Sequence, residues 1–250
     1  IKRLLKCDSK PITYKSEALA NKLGLKNLYI TFNGYFPEKG ATMRTCSFKE
    51  TEAYSICARL GEDRKDDVIV VSSAGNTARA FAQVCSDNDI KLLLTIPEDN
   101  LSALWFEKPL NPCVKVIATK SGSDYFDAIN LGKIVCELDG FFAEGGAKNI
   151  ARRDGMATTM LSATTFIGRI PDYYFQAVGS GTGAIAAWEA NLRFLEDGRY
   201  GNHKAKIYVS QNRPFVPMYD AWKQDSREML PYDNDQARHD ANTVIAKVLT

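Results

Sequence analysis

The chain has 250 residues, 45% of them hydrophobic and 25% charged, and 32 basic against 30 acidic residues leave a net charge of +2. That is one large domain or two small ones of ordinary globular composition, long enough to bury a substantial core. Interleaved charge without a basic block argues against nucleic acid as a partner, and no apolar run nears the roughly 18 residues of a membrane span or resembles a signal peptide.

In chain order, "NLYITF" (27–32) is the first strand candidate. In "TCSFKETEAY" (Thr45–Tyr54), Ser47 stands three residues before Glu50, which is the spacing of a capping box and predicts a helix start. Lys49 then falls in the first turn, where the positive end of the helix disfavours a cation by about 0.3–1 kcal/mol. The same disfavour suits an amine that must lose a proton to act as nucleophile or base. The strand "DVIVVS" (67–72) runs through the turn "SSAGNT" (Ser72–Thr77) into the helix "NTARAFAQVCSDN" (76–88). That turn reads either as simple capping by Asn76 or Thr77, or as an anion pocket suited to a carboxylate.

Strands "KLLLTIP" (91–97) and "VKVIAT" (114–119) come next, then the helical stretch "DYFDAINLGKIVCELDG" (124–140). The tract "EGGAKNIARRDGM" (144–156) gathers Lys148, Asn149, Arg152 and Arg153, either a solvated charged face or a set of donors for an anion. A helix over 154–168, the strand "YYFQAVG" (173–179), a helix over 183–198 and the strand "KIYVSQ" (206–211) complete the pattern. The strands are continuous apolar runs, as parallel strands covered on both faces should be. Repeated βα units predict an α/β fold of open, doubly wound parallel sheets, in which ligands collect at the carboxyl ends of the strands.

The segment "VGSGTG" (178–183) links a strand to a helix. Its glycines free the backbone to aim N–H groups at an anion, so it reads as a phosphate cradle. Gly179, Gly181 and Ala184 satisfy the dinucleotide fingerprint, but the next strand ends at Gln211 rather than at Asp or Glu, and no Lys-Ser/Thr pair follows the glycines. A small monophosphate-bearing ligand fits better than NAD or ATP.

Six cysteines, Cys7, Cys46, Cys57, Cys85, Cys113 and Cys136, include no C-x-x-C pair and read as reduced, buried thiols of a cytoplasmic protein. With His203 and His239 the only histidines, no zinc site is expected. The chain begins at Ile1 without methionine and stops at Thr250 after a helical pattern, so it is read as part of a longer polypeptide.

The lysine at a helix start, the Ser-x-Gly-Asn-Thr turn and the glycine loop, in that order, resemble the pyridoxal-phosphate enzymes of the tryptophan synthase β-subunit fold, and among them the threonine synthase branch. "NIARRDG" (149–155) is similar to the N-P-x-R-x-E-G tract of that branch, and "NRPFVPMYDAW" (212–222) also resembles it. Cys46 stands where that branch usually has Gly, and Glu50-Thr51-Glu52 replaces an Asp-Arg-Gly-like run. Through these departures, and over "FNGYFPEKG" (32–40), the chain resembles more closely the cysteate synthases of methanogenic archaea.

The resemblance implies fold type II, with a smaller αβα domain over 60–147 and a larger one from 1–59 and 148–250. It implies pyridoxal 5'-phosphate as cofactor, held by Lys49 as a Schiff base and by Asn76, Gly179, Ser180, Gly181, Thr182 and Gly183. Substrate would meet Ser73, Ala74, Gly75, Thr77, Lys148, Asn149 and Arg152, and Lys49 would return as general base. The implied reaction replaces the phosphate of O-phospho-L-serine with sulfite to give L-cysteate, on the route to coenzyme M, in a cytoplasmic homo-oligomer, commonly a dimer. The alternatives are threonine synthesis from O-phospho-L-homoserine, another β-replacement, or a cofactor-free phosphate- or nucleotide-binding module.

Overall fold

A computed structural model describes residues 2–73 and 75–245. The chain opens with β1 (Ile12–Lys15), α1 (Glu17–Leu23) and β2 (Tyr29–Phe32), the two strands pairing antiparallel. The short pair β3 (Tyr35–Phe36) and β4 (Ala41–Thr42) leads into α2 (Lys49–Cys57). Then follow β5 (Val68–Ser72), α3 (Asn76–Asp87), β6 (Leu92–Pro97), β7 (Val114–Thr119), α4 (Tyr125–Val135) and β8 (Phe141–Ala143). After α5 (Ile150–Met156) and α6 (Thr158–Ile167), β9 (Tyr173–Ala177) runs through α7 (Thr182–Asp197) into β10 (Lys206–Ser210). The described part ends with α8 (Pro217–Lys223) and α9 (Asn234–Thr243).

Four strands form one parallel sheet in the order β7-β6-β5-β8, and β9 and β10 form a second parallel pair. This is the α/β architecture that the alternating pattern predicts. β6 is buried along its whole length and β5 through its centre, with α3 and α4 packed on that sheet. Four expected strands behave differently. β2 is antiparallel rather than parallel, because α1 returns the chain beside β1. Among the described residues β7 is an edge strand and β9 and β10 pair only with each other, so their apolar residues are largely exposed.

Two helices also differ from expectation. α4 stops at Val135, before Gly140, because the chain must reverse there to bring β8 beside β5, and Gly140 supplies the positive φ of 79°. The helix expected over 154–168 is two helices, α5 and α6, that meet at Ala157. β8 is too short at 3 residues to show periodicity in the sequence.

One core cluster joins Ala53, Ile56 and Cys57 of α2 to β5, β6 and the face of α3 that carries Ala78, Phe81 and Ala82. A second joins Met156 and Met160 to Ala186, Ala187 and Ala190 of α7. Cys57 and Cys85 are buried and Cys113 and Cys136 half-buried, but Cys7 and Cys46 are exposed, which corrects the expectation of buried thiols; all six are free. Cys7, between Lys6 and Asp8, and Cys46, between Thr45 and Ser47, have polar neighbours and sit in loops. One close approach matters for the site. A Cβ added at Gly155 would lie 2.2 Å from the Thr51 carbonyl oxygen and 2.7 Å from Glu52 Cα, so glycine is what lets α5 lie against α2.

Candidate active site

The exits of β5 and β9 and the start of α2 open into one cavity of about 470 Å³, at the carboxyl ends of parallel strands. Its wall holds Lys49, Ser73, the Gly75–Thr77 turn, the Gly179–Gly183 loop and Arg152. Ala74, also expected here, lies outside the described residues.

Two helices present bare N-termini to this cavity. α7 starts after Gly181, whose φ of 76° is left-handed, and has no side-chain cap. The Thr182 hydroxyl instead shares a 2.8 Å hydrogen bond with that of Ser180. α3 starts after Gly75, also without a side-chain cap. Capping by Asn76 or Thr77 is therefore not what the polar turn does: Asn76 Oδ1 accepts from Arg79 Nη2 at 2.5 Å, and Ser73 Oγ accepts from the Gly75 N–H at 3.3 Å. The first N–H groups of a helix have no partner within it, and with the positive end of the dipole they form an anion site. Two such sites in one cavity suit a ligand with two anionic groups, or two ligands with one each. Beneath the loop, a Cβ at Gly183 would come within 2.4 Å of Gln176 Nε2, so that glycine admits the Gln176 side chain.

Lys49 is the first residue of α2, as the sequence predicts, but the capping box is not formed. Ser47 Oγ accepts from the Lys49 N–H at 3.3 Å, and the buried Glu50 carboxylate accepts from Thr45 N–H at 2.9 Å and Thr45 Oγ1 at 2.8 Å. Cys46, at φ 54°, lies in the loop between Thr45 and Ser47, so the carboxylate meets Thr45 rather than the Ser47 amide. A left-handed residue there also gives a reason for the glycine common in the threonine synthase branch.

Lys49 Nζ sits 3.4 Å from Glu52 Oε2 and 5.1 Å from the centre of the Phe48 ring. Burial lowers the Lys49 pKa; the Glu52 charge pulls it up and the Arg152 charge pushes it further down. Burial likewise raises the Glu52 carboxyl, against the opposing pull of Lys49 and Arg152.

The basic tract divides. Arg152 reaches the cavity wall, with Nε 2.9 Å from Glu52 Oε1 and Nη1 donating to Glu144 Oε1 at 2.6 Å. Asn149 caps α5, its Oδ1 accepting from Ala151 N–H at 2.9 Å and its Nδ2 donating to the Glu144 carbonyl at 2.6 Å. Neither Asn149 nor the exposed Lys148 lines the cavity. Arg153 turns to Glu189, at 2.9 Å, because adjacent helical residues point about 100° apart. Sequence reasoning missed Glu52, Asp99 and Tyr125. The last two belong to the exits of β6 and β7, which the strand-exit rule could have flagged. Burial raises the Tyr125 phenol, whose hydroxyl donates to the Ser72 carbonyl at 3.4 Å. Among the described residues no group of three or more His, Cys, Asp or Glu could hold a metal ion.

A family model described as "Pyridoxal-phosphate dependent enzyme" matches residues 14–245. The chain belongs to the pyridoxal-phosphate dependent enzymes. It is 49% identical over 247 residues to a protein named cysteate synthase from Methanosarcina acetivorans, covering 98% of this chain and 59% of that one. A cysteate synthase of Methanoculleus marisnigri is likewise 49% identical, over 98% of this chain and 56% of its own length. The chain thus spans less than two thirds of these relatives. Among solved structures, threonine deaminase isoform 2 of Solanum lycopersicum superposes with a TM-score of 0.63 at 18% identity, covering 89% of this chain and 56% of that one, which shows a shared fold.

The family's cofactor is pyridoxal 5'-phosphate, and the residues present fit it. Lys49 offers an amine whose burial favours the neutral form that attacks an aldehyde. The uncapped N-terminus of α7, after left-handed Gly181, offers N–H groups that a phosphate would fit. The uncapped N-terminus of α3 is a second place in the same cavity that would fit an anion.

Proposed function

We propose that the protein converts O-phospho-L-serine and sulfite to L-cysteate and phosphate. What carries the reading is Lys49 in one cavity with two bare helix N-termini, in a chain 49% identical to cysteate synthases over 98% of its length. The setting that fits is coenzyme M biosynthesis in the cytoplasm of a methanogenic archaeon, by a homodimer. The smaller unit would be 60–147, with 1–59 and 148–250 forming the larger.

When bound, pyridoxal phosphate supplies the electron sink for negative charge at the amino acid's Cα. Lys49 Nζ is the atom that would hold the cofactor, with the Gly179–Gly183 N–H groups on its phosphate and Asn76 beside its ring. The Ser73–Thr77 turn would fix the substrate carboxylate against the positive end of α3, which orients the Cα proton toward Lys49. Lys49 Nζ would then take that proton as general base, and burial, by lowering its pKa, raises the share of neutral amine. Arg152 is the guanidinium on the wall that would meet the departing phosphate or the incoming sulfite. Asn149 would act through Glu144, which it and Arg152 both bind, and Lys148 from outside the wall.

The test uses the full-length protein with phosphoserine and sulfite: phosphate and cysteate should appear together. Efficient threonine formation from O-phospho-L-homoserine instead would overturn the assignment. Borohydride should fix the cofactor on the peptide containing Lys49, and Lys49→Ala should lose both the label and turnover; a label on another lysine refutes the role given to Lys49.

A further inference from the structure

Glu52 follows Lys49 by three residues on α2, and its side chain is wholly buried. A carboxylate in that position is costly unless its charge is matched. Two cations match it from two helices: Lys49 Nζ at 3.4 Å on Oε2 and, from α5, Arg152 Nε at 2.9 Å on Oε1. Arg152 in turn bonds Glu144 at 2.6 Å, so the four groups alternate in sign, Lys49, Glu52, Arg152, Glu144. Each oxygen of Glu52 thus faces one cation, Oε2 the Lys49 ammonium and Oε1 the Arg152 guanidinium. Tyr125 lies close enough to Arg152 and Glu144 to feel their charges, and Asp99 and Asp124 line the same cavity.

Such a chain tolerates both states of the lysine. With Lys49 protonated, Glu52 is its counter-ion; with Lys49 neutral, Arg152 still compensates the carboxylate. We propose that Glu52 is a positioning residue that holds the Lys49 ammonium as its counter-ion and so sets how readily Lys49 gives up and takes back its proton. Arg152 and Glu144 set the charge that Glu52 presents. This rests on the reading of Lys49 as the cofactor's lysine.

The experiment follows pyridoxal phosphate uptake by the cofactor-stripped full-length protein, by absorbance, as a function of pH. Only the neutral amine reacts, so the midpoint of the acid limb reports Lys49. Glu52→Gln keeps the shape and removes the charge, which leaves Arg152 acting on Lys49 with only Glu144, bonded to Arg152, against it. The midpoint should fall by about one pH unit or more, as loss of an opposite charge within hydrogen-bonding range predicts, making uptake roughly tenfold faster below it. Glu52→Asp should restore most of the midpoint, and Glu144→Gln should shift it the same way by less. Borohydride mapping of each variant separates the two ideas. A label away from Lys49 sinks the reading of the lysine; a label on Lys49 with the Glu52→Gln midpoint unmoved overturns the role of Glu52. If Glu52→Gln does not fold, an unmoved midpoint in Glu144→Gln overturns it equally.

Discussion

Gly155→Ala probes the contact on which the site's charged chain depends. The added Cβ would lie 2.2 Å from the Thr51 oxygen and 2.7 Å from both Thr51 C and Glu52 Cα. Optimal carbon contacts are about 3.5–4.0 Å, so the carbon contacts fall short by about 1 Å. The obstacle is α2 backbone rather than the end of a flexible side chain, so α5 has to back away. Overpacking of this kind costs about 1–3 kcal/mol, and backbone against backbone belongs at the upper end. Replacing Gly by Ala inside a helix returns about 1 kcal/mol. The net loss is about 2 kcal/mol, and at about 2–4 °C per kcal/mol for a chain of this size the melting temperature should fall by about 4–8 °C. Differential scanning calorimetry of the full-length protein measures this. Because α5 carries Arg152, withdrawal also loosens the 2.9 Å approach of Arg152 to Glu52. A variant that melts at or above the wild-type temperature would show that the two helices do not meet as closely as described.

Gly181→Ala should weaken cofactor binding about tenfold: a Cβ at the φ of 76° costs about 1–2 kcal/mol, which the free loop sheds by leaving that conformation and binding has to restore. Titration of stripped protein with pyridoxal phosphate measures it, and unchanged affinity would refute the cradle. The Asp99 carboxyl is held low by the Gly122 N–H at 3.0 Å and the Ser121 hydroxyl at 2.8 Å. Its folded value is depressed, so this anchor is fully present above the ordinary carboxylate range and lost as pH falls through the depressed value. Amide exchange at Gly122, corrected for its intrinsic pH dependence, should accelerate over that descent and should already be fast in Asp99→Asn. Equal exchange in variant and wild type would discount the anchor.

The residues that were legible are those whose job is local. Apolar runs marked β5 and β6, and glycines marked the turn at which Gly181 takes a positive φ. The placement of Lys49 at a helix start followed from the spacing around it, and those short motifs carried the family resemblance. Even locally, burial overruled spacing at Glu50, whose carboxylate meets Thr45 rather than closing a capping box. The basic tract shows where local reading ends. Lys148, Asn149, Arg152 and Arg153 look equivalent in sequence, and only the turn of α5 decides that Arg152 faces the cavity while Arg153 faces Glu189.

By itself the sequence determined the positions of β2, β5, β6, β7, β9 and β10, the α/β class and the glycine-rich and polar loops that follow β5 and β9, because backbone freedom and hydrophobic period are local properties. Only the tertiary structure decided what surrounds the amine of Lys49. Glu52 is its neighbour by helical spacing, but the second cation on Glu52, Arg152, comes from α5, about a hundred residues along the chain. That approach depends on Gly155 lying against the backbone of α2. Electrostatics in a buried site is set by which charges are brought within a few ångströms, and packing between distant segments sets that distance.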